Sequence, residues 1–236
     1  MMMKKLILFF FLTALFVLPA AEIKPVLEYD FTGELVAAKG IYGKPVFRHT
    51  PVISVPDTAL ELKNKNYFTV PESQKFTLKN GGTLHAVVFF KDSDIKGGDN
   101  AFDMIFFKHN DFLFGRMRDE LYFNMGDGKL PSGKWLTHTS VKNIPLKQWT
   151  ALTAVVTFTA PDRYKTVLFI NGKKVFTKYF RTTLNPPNDK AVTVGMGWGG
   201  PWFMNGSIAR VMLFDKPISD NQAAALAAGE KYLNKK

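Results

Sequence analysis

The stretch that decides the fold is TVLFINGKKVF, residues 166–176, in which two runs of strand-favouring residues flank the pair Asn171-Gly172. Valine, isoleucine and phenylalanine are typical of strands, and both residues of the central pair tolerate a positive φ angle. A two-residue turn of type I′ matches the twist of paired strands. The stretch therefore predicts a tight antiparallel β-hairpin.

Similar strand signals extend along the chain in both directions from this hairpin. Alternating or continuous apolar runs, separated by Gly, Pro, Asn and Asp, occupy residues 83–91, 102–107, 112–117, 121–125, 149–158 and 207–215. Alternation with a period of two indicates strands with one buried face. Residues 207–215, SIARVMLFD, are apolar on both faces, which indicates a strand covered on both sides. The pattern predicts an all-β fold, a two-sheet antiparallel β-sandwich.

One short helix is predicted after Asp215, where the character of the sequence changes. Ser219 can cap the first turn, and Gln222 can return a hydrogen bond to the cap. The run AAALAA favours a helix, and Gly229 is expected to end it in the left-handed conformation.

The first 21 residues have the pattern of a secretory signal peptide. Lys4 and Lys5 precede an apolar run, residues 6–18, and Pro19-Ala20-Ala21 supplies small residues for cleavage. The apolar run is shorter than the roughly 18 residues that a membrane span needs. We therefore predict an exported protein without a transmembrane anchor after cleavage, located in the periplasm, at the cell surface or outside the cell. Residues 22–236 are predicted to form a single domain.

Composition narrows the function classes. The chain has no cysteine, which excludes disulfides, thiol catalysis and cysteine-bound metal. Its formal net charge is +11, and loss of Lys4 and Lys5 lowers that charge to about +9. A positive field attracts polyanions, so acidic glycans are among the expected partners. The lysines are scattered, so no specific nucleic-acid site is expected, and solubility alone is the alternative explanation of the charge.

The order of the predicted elements resembles a known family. The elements are LEYDFTG at 27–33, TALELKNKNYFTVPES at 58–73, Trp149 leading a strand, LFINGKKV, VTVGMG, FMNGSIARVMLFDKPIS and the closing helix. This series resembles the laminin G-like, concanavalin A-like lectin/glucanase jelly-roll superfamily, in the form found in exported bacterial proteins. The resemblance implies two curved antiparallel sheets packed face to face. It implies no single activity, because this fold hosts lectins, adhesion modules, glycan hydrolases and lyases.

The residues needed for glycan cleavage do not form a recognisable pattern. A hydrolase needs paired carboxylates across the bond that it cleaves. Glu28 and Asp30 match the carboxylate-x-carboxylate spacing of a catalytic strand, but no further carboxylate completes the pattern. Asp119-Glu120 are adjacent, so on a strand they would face opposite ways. His85, Arg116, Arg118 and Tyr122 are of the residue types that lyases of this fold use. The sequence around them does not match the motifs of those lyases. An enzyme is therefore not predicted, and a hydrolase or lyase with an unrecognised site stays the less favoured alternative.

A calcium site is the one cofactor site that the sequence suggests. In KDSDIKGGDNAFD, residues 91–103, Asp92, Asp94 and Asp103 occupy positions one, three and twelve of a calcium loop, with Gly97 at position six. Lys96 stands at position five, where a ligand is wanted. The alternative is a solvated acidic loop, and no other cofactor is expected.

The glycine-rich stretch VTVGMGWGGPWFMN, residues 192–205, contains Trp198 and Trp202. Exposed aromatic rings on a rigid β scaffold can stack on sugar faces. We therefore predict a non-catalytic, lectin-like domain that binds a glycan or polysaccharide through Trp198 and Trp202. Two alternatives stay open. The rings can instead cover the edge of the core, and the domain can instead be a protein–protein adhesion or assembly module.

Overall fold

The computed structural model describes residues 23–32, 37–54, 59–62, 65–91, 102–129, 134–182, 188–198 and 202–233. In chain order its strands are β1 (Leu27–Asp30), β2 (Ala37–Gly40), β3 (Val46–Phe47), β4 (Val52–Ser54), β5 (Ala59–Leu62), β6 (Phe68–Thr69), β7 (Gly82–Phe90), β8 (Asp103–Lys108), β9 (Phe112–Met117), β10 (Glu120–Met125), β11 (Thr139–Val141), β12 (Trp149–Ala160), β13 (Arg163–Ile170), β14 (Lys173–Arg181), β15 (Thr193–Val194) and β16 (Gly206–Phe214). A short 3₁₀ helix spans Ser73–Lys75, and the helix α1 spans Asp220–Ala228.

Within the described residues, the strands form two antiparallel sheets, and this confirms the predicted β-sandwich. The nine-stranded sheet has the order β14-β13-β12-β7-β16-β1-β2, with β5 paired to β16 and β4 paired to β5. The seven-stranded sheet has the order β11-β10-β9-β8-β15-β6-β3. Sheet neighbours such as β7 and β16 are far apart in sequence, so long-range pairing organises the whole domain.

The main core lies between the two sheets. Leu84, Ala86 and Val88 of β7 point into it, as the alternation in the sequence predicts. From the facing sheet, Phe114 and Phe123 fill the space opposite. Burying one such side chain contributes about 1.5–3 kcal/mol, so this core can stabilise the domain without disulfides.

The predicted hairpin connects β13 and β14. Asn171 and Gly172 have φ angles of 50° and 73°, as a type I′ turn requires. A side-chain carbon at Gly172 would lie 2.9 Å from the Cα atom of Ala224 in α1. Glycine at this position therefore permits both the turn and the close approach of the helix.

The helix α1 begins as predicted and ends differently. The Ser219 hydroxyl accepts from the Gln222 amide at 3.2 Å, and Gln222 Oε1 accepts from the Ser219 amide at 2.8 Å. The expectation of a left-handed Gly229 was wrong, because its φ angle is −76°. The chain instead continues in a turn, in which the Glu230 amide donates to the Ala227 carbonyl at 3.1 Å.

Strand β16 is covered on both faces, as its apolar sequence predicts. Ile208 and Leu213 face the main core, whereas Met212 and Phe214 pack beneath Ala223 of α1. In the part of the chain that the structure describes, no helix is long and apolar enough to cross a membrane. The predicted signal peptide, residues 1–21, lies outside the described residues.

Candidate functional site

Trp198 lies in a loop on the outer face of the seven-stranded sheet. The loop leaves β15, and a bridge between Met196 and Phe203 closes it. The Gly197 amide donates to the Trp202 carbonyl at 2.8 Å, and a side-chain carbon at Gly197 would lie 2.8 Å from Trp202 Cε3. Glycine here lets the Trp202 ring fold back over the loop. Trp198 keeps 54% of its surface exposed.

Trp202 is placed differently from Trp198. Its ring is partly buried and lies 4.7 Å, centroid to centroid, from the ring of Phe102. Phe102 belongs to an apolar cluster on the outer face of the seven-stranded sheet, together with Met104 and Tyr122. The two tryptophan rings are 6.1 Å apart and nearly perpendicular. Trp202 thus connects the loop to the sheet, while Trp198 extends toward solvent.

A groove of about 420 Å³ runs beside Trp198. We call it the Trp198 groove; its described lining comprises Arg48, Tyr67, Phe107, His109, Met196, Gly197, Trp198 and Phe203. It continues past His109 into a smaller depression that includes Thr69, Lys190 and Thr193. Small-molecule sites commonly have volumes of about 300–1,000 Å³, so the groove is large enough for a sugar unit.

Three separate segments supply the polar lining of the groove. Arg48 follows β3, and its amide donates to the Tyr67 carbonyl at 3.0 Å. His109 follows β8, and its carbonyl accepts from Asn188 Nδ2 at 2.7 Å. Lys190 lies just before β15. The sheet order β8-β15-β6-β3 brings these segments side by side.

The aromatic contacts hold the groove in shape. The His109 ring meets the Trp198 ring edge-on at 4.9 Å, and Phe107 lies 6.4 Å from Trp198. The Tyr67 ring lies 6.2 Å from Phe203, and the Arg48 guanidinium lies over Tyr67 at 5.6 Å. Arg48, Tyr67 and His109 could not be identified as site residues from the sequence, because each occurs alone, without a motif.

The charged side chains of the groove are cationic. Arg48 and Lys190 are among the residues that line the groove and its continuation, and none of the described lining residues is Asp or Glu. Partial burial, and then the charge of Lys190, lower the pKa of His109. His109 is therefore neutral at pH 7, when its ring offers one donor and one acceptor.

Asp103 of the suggested calcium loop is buried and engaged by the protein. Its Oδ2 atom accepts from Arg116 Nε at 2.9 Å, and its Oδ1 atom accepts from the Asn205 amide at 2.9 Å. A calcium ion at Asp103 would have to displace these partners. The other two suggested ligands, Asp92 and Asp94, lie outside the described residues, so the calcium site stays a prediction. Within the described ranges, no three His, Cys, Asp or Glu side chains cluster as metal ligands.

The possible lyase residues do not come together. His85 is buried on the outer face of the nine-stranded sheet, where its Nδ1 atom lies 2.9 Å from Thr153 Oγ1. Arg116 lies between the sheets, with its guanidinium 4.8 Å from the centre of the Phe90 ring. Tyr122 is on the outer face of the seven-stranded sheet, where its hydroxyl lies 2.6 Å from His138 Nδ1. These positions do not form one site.

The carboxylates considered for hydrolysis have structural partners or lie in a turn. Asp30 Oδ2 accepts from Arg210 Nη2 at 2.8 Å, and Glu28 Oε1 lies 3.6 Å from Arg210 Nε. Asp119 belongs to the exposed turn between β9 and β10, and Glu120 begins β10.

Comparison with known proteins identifies the family. Residues 62–224 match the family model described as the concanavalin A-like lectin/glucanases superfamily. Because the match covers more than half of the chain, the protein belongs to this superfamily, as the sequence resemblance predicted. No curated protein matches the chain significantly.

Solved structures share the fold at low sequence identity. One is a botulinum neurotoxin DC binding domain in complex with rat synaptotagmin II, at 14% identity and a TM-score of 0.63. The match covers 89% of this chain and 52% of that one, so the chain spans about half of the toxin domain. The same toxin domain in complex with SialylT matches at 13% identity and a TM-score of 0.63, over 88% of this chain and 51% of that one.

A second kind of neighbour matches over its full length. Domain 4 of AbnA, a GH43 extracellular arabinanase from Geobacillus stearothermophilus solved with arabinotriose, is 15% identical, with a TM-score of 0.61. The match covers 87% of this chain and 99% of that domain. At these identities the comparisons establish the fold alone.

Proposed function

We propose that the protein is an exported, non-catalytic domain that binds carbohydrate in the Trp198 groove. The observation that carries the proposal is the exposed ring of Trp198, which is 54% accessible beside a groove lined by aromatic and polar side chains. The pattern of residues 1–21 supports export.

Trp198 suits sugar binding for a physical reason. The C–H groups of a sugar ring are apolar and slightly positive, and they stack against the negative π face of an aromatic ring. The edge-on contacts with His109 and Trp202 restrict the motion of the Trp198 ring before a ligand arrives. A ring held in place loses little conformational entropy on binding.

The relatives give this proposal further support. The superfamily description includes lectins. One neighbour of the same fold was solved with arabinotriose, and another was solved with SialylT. Domains of this architecture therefore include glycan binders, although those neighbours are too distant in sequence to transfer a ligand.

The absence of catalysis is part of the proposal. The two strand carboxylates that resemble a hydrolase pair, Glu28 and Asp30, are both directed at Arg210. Neither of them lines the Trp198 groove, so no acid and base flank a bound sugar in the described part of the site.

The test is a glycan array on residues 22–236, followed by calorimetric titration of each hit. Trp198→Ala is expected to weaken binding by about tenfold or more, because central aromatic contacts dominate binding energies. Tyr179→Ala is the matched control, since that ring is 68% exposed and lies on β14 of the other sheet. Unchanged affinity in Trp198→Ala would contradict the proposed site.

Protein–protein adhesion is the second candidate function. The observation that favours it is the exposed ring of Tyr179 on β14, at the edge of the nine-stranded sheet. Arg163 and Arg181 are opposite each other on β13 and β14, beside this ring. Loss of a protein partner in Tyr179→Ala, with glycan arrays negative, would favour this alternative.

A further inference from the structure

We infer that the Trp198 groove selects glycan units that carry an anionic group, a carboxylate or a sulfate. This inference rests on the proposed function and adds the chemical class of the ligand. It depends on where the cationic side chains of the described structure lie and on which of them have protein partners.

Three cations of the described residues, Lys108, Arg116 and Arg210, are buried or partly buried and are engaged by the protein. Arg116 pairs with Asp103, and Arg210 pairs with Asp30 and Glu230. The Lys108 ammonium is buried and donates to the Gln74 carbonyl at 2.7 Å and to the Phe76 carbonyl. These charges stabilise the fold and offer no site for a ligand.

Arg48 differs from these cations. No carboxylate of the described residues pairs with its side chain, and its guanidinium lies over the Tyr67 ring at 5.6 Å. An arginine held over an aromatic ring keeps its planar set of donors oriented. That geometry matches the two oxygen atoms of a carboxylate, or two oxygen atoms of a sulfate.

Lys190 lines the continuation of the groove past His109 and is a second cation that a ligand can contact. It lies 3.5 Å from Asp189, but both side chains are more than half exposed, so water screens this pair. The groove and its continuation share Phe107, His109, Met196 and Gly197, so Arg48 and Lys190 belong to one continuous surface. No Asp or Glu is among the described residues that line either part.

These features define how a ligand is recognised. The apolar face of a sugar unit stacks on Trp198, and its acidic group faces Arg48 or Lys190. A charge-assisted hydrogen bond is about twice as strong as a neutral one. A neutral sugar makes the stacking contact but gains nothing from the two cations, so the groove discriminates between otherwise similar glycans.

The experiment uses matched pairs of polysaccharides, titrated calorimetrically into residues 22–236 at about 0.15 M salt, where long-range attraction is screened. The carboxylate pair is polygalacturonate and its fully methyl-esterified form. The sulfate pair is dextran sulfate and dextran. The variant Arg48→Gln/Lys190→Gln is compared with Arg163→Gln/Lys173→Gln, which removes the same charge from exposed positions on the other sheet.

The expected result is binding of at least one anionic probe about tenfold or more tighter than its neutral partner. The groove variant is expected to lose that preference, whereas the control variant retains it within about twofold. Binding of only the carboxylate probe or only the sulfate probe supports the inference and identifies the acidic group.

Other outcomes separate the inference from the proposed function. If neutral probes bind as tightly and Trp198→Ala abolishes their binding, the anionic inference is wrong and the proposed function stands. If both charge variants lose equal affinity, binding follows net charge and the inference is wrong. If anionic probes bind Trp198→Ala unchanged, both proposals fail. No binding to any of the four probes contradicts the inference, and the wider array then decides the proposed function.

Discussion

The outer faces of the two sheets differ in how their charged residues are neutralised. On the nine-stranded sheet, α1 and the segment after it cover the face. In that segment, Glu230 is 2% exposed and accepts from Arg210 Nη1 at 3.0 Å, and it lies 3.5 Å from His85 Nε2. On the seven-stranded sheet, Arg48 and Lys190 lie at an open groove beside Trp198.

The comparison teaches that residue type alone does not indicate a binding site. Histidine, arginine and aromatic residues occur on both faces. Where α1 and the segment after it cover the sheet, Arg210 and Glu230 pair within the chain, and the Trp149 ring packs on Tyr232 at 4.6 Å. On the open face the aromatic ring and the cations keep free surface, which a ligand can use.

The largest predicted effect concerns the stability of the covered face. Glu230→Ala is expected to lower the free energy of unfolding by about 3 kcal/mol, because it leaves Arg210 and His85 without their shared carboxylate. Urea unfolding measures this change. The control is Lys174→Ala, which breaks an exposed pair with Asp220 and should cost about 0.5 kcal/mol or less. Equal losses in the two variants would show that the covered network does not stabilise the segment after α1.

A second prediction separates the roles of the two tryptophans. Trp202→Ala is expected to destabilise the domain by about 2 kcal/mol, less than truncation of a fully buried ring, because its ring packs on Phe102 but is partly exposed. Trp202→Phe should keep glycan binding, since a smaller ring still supports the loop. Urea unfolding and glycan titration are the measurements. Loss of affinity in Trp202→Phe as large as in Trp198→Ala would instead make Trp202 a direct contact.

The smallest predicted effect is a pH dependence from His109. Burial and Lys190 lower its pKa below the usual 6.5, so the unfolded chain binds this proton more readily than the folded protein. His109 therefore reduces stability as the pH falls through and below 6.5, and its contribution is restored as the pH rises. A bound anion favours the protonated ring, so the affinity for an anionic glycan should rise as the pH falls.

Dextran sulfate is a suitable probe for this effect, because its charge is constant over the range. Titrations between about pH 7.5 and pH 5.5 span the change in histidine charge. The affinity for dextran sulfate should depend less on pH in His109→Gln than in the wild type. An equal slope in the wild type and the variant would assign the pH dependence to another group.

Much of the fold could be predicted from the sequence because its signals are local. The Asn171-Gly172 turn and the Ser219–Gln222 capping box depend on neighbouring residues, and both are present. The end of α1 was harder to predict, because the chain after Gly229 is held by a contact between Glu230 and the distant Arg210.

The candidate site was less predictable, because its residues meet only through the sheet order. Arg48, His109 and Lys190 come from three segments with no shared motif. The spacing of Asp103 suggested calcium, but the register of β8 and β9 places it directly opposite Arg116. From the sequence, Trp198 and Trp202 were equally good candidates for stacking on a sugar. The packing of Trp202 on Phe102, which the sequence does not reveal, distinguishes them.

The central claim, that a glycan binds at Trp198, is tested most directly by following the indole N–H signals of the four tryptophans in ¹⁵N NMR spectra. The Trp198 signal is assigned from Trp198→Phe, and an array hit is then titrated into the protein. We predict that the Trp198 signal shifts most and that the signal of Trp149, on the opposite sheet, does not move. A bound glycan that leaves the Trp198 signal unchanged would contradict the account.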